Sequence, residues 1–247
     1  MKTLLTMAYD GSAYYGWQKQ PGRKTIQGTL EDSLLNLYKQ PIITLGASRT
    51  DSGVHAFGQR VCFVTPKINI PIENLPMALN GLLPDDIVIT EARHVHKGFC
   101  TINDAKRKTY EYTILNRKYP DPKLRNYVCH ITPSLDIDTM KQACKAFEGT
   151  HDFTAFCASG SKTVTKVRTV YRNLIEAQGD IIKIYITGNG FLYNMVRIIA
   201  GTLIEVGLGR ISAIDVSEII KSRDRAKAGK TAPAKGLTLV SVEYDPF

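Results

Sequence analysis

The chain has 247 residues, 43% of them apolar, and a formal net charge of +9 from 32 Lys and Arg against 23 Asp and Glu. That length and apolar content suffice for one large or two small folded domains and exclude a disordered or low-complexity chain. The basic excess points toward a polyanionic ligand, because Lys and Arg release counterions from phosphates, while a solvated basic face gives the same balance. The N-terminal MKTLLTMAYDG lacks a long apolar core and a small-residue cleavage site, so residues 3–9 read as a strand ended by Asp10-Gly11 rather than as a secretion signal. In TIQGTLEDSLLNLY (25–38), Ile26, Leu30, Leu34, Leu35 and Tyr38 recur at helical spacing, with Thr25 suited to cap the start. Strands are expected at 42–47 and 60–65, a short helix at 73–79 stopped by Gly81 and Pro84, and a strand at 87–95. The alternation of RKTYEYTIL predicts a strand over 107–115, followed by a short one at 127–131 and a helix at 138–147 that Gly149 ends. Residues 165–177 and 181–188 read as a hairpin turned at Gln178-Gly179-Asp180, followed by helices at 194–206 and 213–221 and a last strand at 237–244. This order predicts an α+β fold of two ferredoxin-like, split βαβ domains with mostly antiparallel sheets and helices on one face, spanning 1–103 and 104–247.

The five cysteines (Cys62, Cys100, Cys129, Cys144 and Cys157) are odd in number and form no C-x-x-C pair, which argues against a disulfide scaffold and a zinc knuckle. They read as thiols of a reducing compartment, and with no apolar run of membrane-spanning length the expected location is the cytoplasm. His94 and His96 stand two apart on a strand, but no acid or cysteine nearby completes a metal site, so they read as surface residues. No phosphate loop or dinucleotide fingerprint occurs; GNG at 188–190 lacks the third glycine.

Four stretches can carry chemistry. In SRTDSGVHAFGQ (48–59), Thr-Asp-Ser-Gly is good turn material, yet Arg49 two residues before Asp51 and His55 four after it would keep a carboxylate ionised in an exposed loop. In KRKTYEYTI (106–114), Tyr110 and Tyr112 share one strand face, either as a half-buried sheet surface or as an aromatic platform for a base, with Lys106, Arg107 and Lys108 beside it for phosphates. In GNGFLYNMVRIIAGTLIEVG (188–207), Arg197 is the one charge in the first turns of an apolar helix; it snorkels to solvent or forks onto a carboxylate. AGKTAPAKGLTLVSVEY (228–244) is a small-residue loop feeding the last strand.

Together with YDGSAYYGWQKQ (9–20), TIQGTLEDSL (25–34) and ALNGLLPDDIVI (78–89), the motifs SRTDSGVHAFGQ, KTYEYTI, GNGFLYNMVR and TAPAKGL resemble the tRNA pseudouridine synthase A family, in order and over nearly the whole chain. The resemblance implies an enzyme that isomerises uridine to pseudouridine in the anticodon stem-loop of tRNA, with no metal or organic cofactor. It also implies two related domains side by side with the active-site cleft between them, and a homodimer whose two subunits contact one tRNA. It makes Asp51 the catalytic carboxylate, Tyr110 the tyrosine on the target base and Arg197 the partner of the aspartate. Arg49, His55, Lys106, Arg107 and Leu237 fall on the substrate-binding side. The sequence departs from the family pattern after Phe99, where Cys100, Thr101 and Ile102 stand in place of a short run ending in arginine.

Pseudouridine formation breaks the N1–C1′ bond and makes a C5–C1′ bond, so it needs no redox cofactor or energy source. It needs a group to meet the positive charge developing at C1′ and a base for the C5 proton, and a carboxylate suits either role. The base must leave its stack and water must stay out. Two rival readings are a non-catalytic RNA-binding protein of the same fold and a nucleoside or glycoside hydrolase with Asp51 as nucleophile and Asp10 or Glu111 as acid.

Overall fold

In the computed structural model, which describes residues 1–66, 70–161 and 163–245, the chain divides into two compact units. One comprises Met1–Lys106 with Thr238–Phe247, the other Arg107–Leu237. The boundary expected at 103/104 lies just before this division, and the closing strand, grouped by sequence with the second half, is counted with the first. No helix among the described residues is long and apolar enough to cross a membrane.

The first unit is built around β1 (Lys2–Tyr9), whose Leu5, Met7 and Tyr9 are buried by the period-two geometry of a strand. β1 pairs antiparallel on one side with β4 (Ile87–Val95) and on the other with β3 (His55–Val64). Against β3 lie the two-residue β2 (Leu45–Gly46), antiparallel, and β10 (Leu237–Glu243), parallel through Thr238 opposite His55 and Leu239 opposite Ala56. The helix α1 (Ile26–Tyr38) starts where expected: the Thr25 hydroxyl accepts the Gly28 N–H, and Ile26, Leu30, Leu34 and Tyr38 are buried. A 3-10 turn at Ile72–Asn74 leads into α2 (Leu75–Asn80). The order strand, helix, hairpin, helix, strand, with β1 between β3 and β4, is the ferredoxin-like plan.

In the second unit β5 (Arg107–Asn116) pairs antiparallel with β9 (Ile181–Gly188), β9 with β8 (Val167–Gln178), and β8 with β7 (Gly149–Asp152). The short β6 (Cys129–Ile131) runs parallel to β5. Asp136 caps α3 (Ile137–Cys144) by accepting the Asp138 and Thr139 N–H groups. α4 (Met195–Gly207) is apolar nearly all round and accordingly buried, and Gly207 leaves room for Met140 of α3. α5 (Asp215–Ser222) follows.

Three elements differ from expectation. The strand at 42–47 shrinks to two residues because Glu31 captures the Thr44 backbone N–H (3.0 Å) and hydroxyl (3.1 Å), drawing it from the ladder. β3 begins at His55 rather than Arg60, since Ala56 pairs with both Tyr9 and Leu239, so the loop before it is shorter than it reads. The helix expected to 147 tightens into a 3-10 turn at Lys145–Phe147, and Gly149 opens β7 instead of standing alone as a helix stop.

Candidate active site

Asp51 sits in a short loop between β2 and β3, closed by the Val54 N–H on the Asp51 carbonyl (3.1 Å) with Gly53 left-handed at φ 78. A turn would normally leave such a loop loose. Here the segment after β1 clamps it. The Tyr9 hydroxyl meets the Thr50 hydroxyl at 2.7 Å, the Trp17 N–H donates to the Thr50 carbonyl (3.0 Å), and the Ser52 hydroxyl donates to the Tyr14 carbonyl (3.1 Å). Approach is this close because Gly11 and Gly16 lack side chains: a Cβ on Gly11 would overlap the Val54 carbonyl, and one on Gly16, itself at φ 81, would lie 2.7 Å from the Thr50 oxygen. From behind, the fully buried Gln59 amide spans Ser48, donating to its carbonyl (2.7 Å) and accepting its N–H (3.2 Å). Asp51 is half-buried at the tip and Arg49 is exposed beside it.

His55 is 5% exposed at the head of β3, with Nδ1 at 3.1 Å from the Gly11 nitrogen and 3.2 Å from an Asp10 carboxylate oxygen. The ring therefore ties the clamping segment to the strand. Lys106, the last residue of this stretch, is exposed and pairs with Asp245 at 2.9 Å. Phe99 is buried against Leu4, Cys62 and Val95, and Ile102 is 42% exposed.

In the second unit Tyr110 is buried on β5 with its ring edge-on to Phe191, centroids 5.3 Å apart at 89°. The two tyrosines do not form one platform. Tyr112 is fully buried, donates its hydroxyl to the Pro233 carbonyl (2.9 Å) and lies against Gly236. Arg107 is exposed, its guanidinium 5.4 Å from the Tyr171 ring centre. Lys108 is half-buried, and burial, then the charge of Arg168, push its ammonium down to about 8. Leu237 is buried where β10 begins.

Arg197, in the first turn of α4, does not snorkel outward. Its Nε donates to the Ala232 carbonyl (2.8 Å) and its Nη1 to the Asn194 Oδ1 (2.8 Å), while its own carbonyl accepts the Ala232 N–H (3.1 Å). The Ala228–Pro233 stretch is strapped to α4: Thr202 accepts the Gly229 N–H (2.9 Å), and Gly201 has no room for a Cβ beside the Lys230 carbonyl. Arg225 draws in the near end of the strap through the Gly229 carbonyl (3.0 Å) and the Thr231 hydroxyl (3.2 Å).

Within the first unit the structure thus gathers Asp51, Arg49 and His55 around one clamped loop. Within the second it places Arg197 on α4 and Tyr110 on β5, with Arg107 exposed at the start of that strand. Asn194, Ala232, Thr50 and Gln59 have structural parts in these sites that sequence reasoning did not assign. Of the acids proposed to assist a hydrolase, Glu111 is buried and paired to Lys183 at 3.0 Å, and Asp10 accepts the Ser12 N–H at 2.8 Å.

A family model described as tRNA pseudouridine synthase matches residues 5–111 and 143–245. The chain is 49% identical over 241 residues to "tRNA pseudouridine synthase A" of Caldicellulosiruptor saccharolyticus, covering 98% of each chain. It is 45% identical over 249 residues to the protein of the same name from Bacillus subtilis, covering 99% of this chain and all of that one. Among solved structures, a Cbf5–Nop10–Gar1 complex aligns over 96% of this chain and 57% of that chain with a TM-score of 0.36 and 11% identity.

Proposed function

The chain belongs to the tRNA pseudouridine synthase family, and we propose that it converts uridine to pseudouridine in the anticodon stem-loop of tRNA with Asp51 as the working carboxylate. What carries this reading is the family match across both units together with the rigid presentation of Asp51 on its loop. A reaction that breaks and remakes a bond at C1′ tolerates little displacement of the group that meets that carbon. Asp51 meets the charge developing there or serves the C5 proton. Arg197 is the cationic partner of the carboxylate, offering it the planar fork of a guanidinium. Tyr110 covers the target base after it leaves its stack, and Arg49 holds the displaced nucleotide. His55 acts behind the loop, keeping the substrate-facing tip in place, while Lys106 and Arg107 contact the phosphate backbone and Leu237 lines the apolar side of the site. A homodimer on one tRNA completes the proposal.

The test is Asp51→Asn with an unmodified anticodon stem-loop tRNA, following pseudouridine by sequencing and binding by filter retention. The variant makes no product and holds tRNA within a few fold of the parent. Product from the variant at the parental rate removes the role given to Asp51. Release of free uracil by the parent protein points to a hydrolase instead.

A further inference from the structure

We propose that Asn194 is a positioning residue that sets the plane of the Arg197 guanidinium; this rests on the role given above to Arg197. An asparagine at the head of a helix ordinarily holds an extended backbone and folds its side chain onto the first amides. Asn194 does neither: it stands at φ 59, ψ 9, and makes no side-chain cap bond. The other non-glycine residues with positive φ among those described are Lys39 and Arg223, both at helix C-termini, where a left-handed residue is the usual ending. At a helix start the same conformation costs energy without ending anything.

What the conformation achieves is a contact. It carries the Asn194 Oδ1 to 2.8 Å from the Arg197 Nη1. A guanidinium only donates, so the amide must present its oxygen here. The second acceptor, the Ala232 carbonyl on Nε at 2.8 Å, holds another nitrogen of the same guanidinium. Two acceptors on two nitrogens of one guanidinium fix its plane rather than leave it to swing. Loss of one acceptor leaves the arginine in place and charged, with its plane less firmly set. That affects the step in which charge is steadied more than the binding of tRNA.

The experiment separates this from a purely structural asparagine. Asn194→Gly keeps the left-handed backbone, which glycine adopts without strain, and removes the side chain with its amide oxygen. Relief of the left-handed strain works against the lost hydrogen bond, so thermal unfolding of the variant stays close to the parent. With tRNA as substrate, kcat falls about ten- to a hundredfold, the rate equivalent of losing a hydrogen bond to a charged group, and KM stays within a few fold. Arg197→Lys, which lacks the planar fork, is also slow, and adding Asn194→Gly to it produces little further loss. Parental kcat in Asn194→Gly with a slow Arg197→Lys overturns the positioning role and leaves Arg197 its own. Losses that multiply in the double variant also overturn it. Full activity in Arg197→Lys sinks the assignment of Arg197, and this inference with it.

Discussion

A carboxylate on a loop acts reproducibly only if the loop does not move, and the residues that immobilise Asp51 are small or neutral rather than reactive. Gly11 and Gly16 permit backbone contact with Val54 and Thr50, and Gln59 closes Ser48 from the core side. In the second unit the cost of burying a charge can be measured on Lys108. Burial and Arg168 lower its ammonium to about 8, against about 10.4 in an unfolded chain. A lowered lysine value means that the unfolded chain binds more protons between those two values, so the free energy of unfolding rises with pH across that window. Below it the penalty is fully present. Tyr14 and Tyr244, whose phenols burial raises, act in the opposite sense, but only above about pH 10, where unfolded tyrosines begin to lose protons. Urea unfolding from about pH 7.5 to about pH 9.5 therefore shows the parent gaining stability relative to Lys108→Met as pH rises. A difference between the two that does not change with pH means that this ammonium titrates as an exposed one.

At the level of elements, α4 and the strap on it work as one object. The strap supplies the Ala232 carbonyl that holds Arg197, and Thr202 holds the strap through the buried Gly229 N–H. Thr202→Val keeps the shape of the side chain but orphans that N–H. The expected cost is about 1–3 kcal/mol in urea unfolding, together with faster proteolytic cleavage between residues 227 and 233. An unchanged stability places the Gly229 N–H on another acceptor. Much of this architecture is legible in the chain itself. β4 occupies Ile87–Val95 as expected, α1 takes the Thr25 cap, and the hairpin turns at Gln178-Gly179-Asp180. What is not legible was decided by partners distant in sequence. β7 is GTHD, with no apolar alternation, and exists through its ladder to β8 and a hydroxyl pair between Thr150 and Thr169 (2.8 Å). Spacing puts Tyr110 and Tyr112 on one face, but only the fold shows that Pro233 and Gly236 cover Tyr112. Asn194 reads as the first residue of a helix over 194–206, and its left-handed backbone leaves no mark in a single sequence.

For the molecule as a whole, the chain leaves the first unit after Lys106 and returns to it at Thr238, so that unit is discontinuous in sequence. The returning segment is part of its core. Leu239 and Val242 are buried, and Gly58 of β3 has no room for a side chain beneath the Val240 carbonyl. Tyr244 packs edge-on to Phe99 at 5.1 Å and donates its hydroxyl to the Thr101 carbonyl at 2.9 Å. Residues 1–106 alone would expose Phe99 and the apolar groups around it, at about 25 cal/mol for each Å² left in water. The Lys106 N–H donates to the Glu243 carbonyl (2.9 Å), which leaves the five-residue length of strand back to Thr238 to be spanned, roughly 17 Å at strand rise. A flexible Gly/Ser linker of about nine residues has that mean reach. Residues 1–106 joined through such a linker to 238–245 therefore unfold in one cooperative urea transition, and 1–106 without the strand shows a shallow transition or none. If the two fragments unfold at the same midpoint with the same steepness, β10 is an ornament of the first unit rather than one of its structural strands.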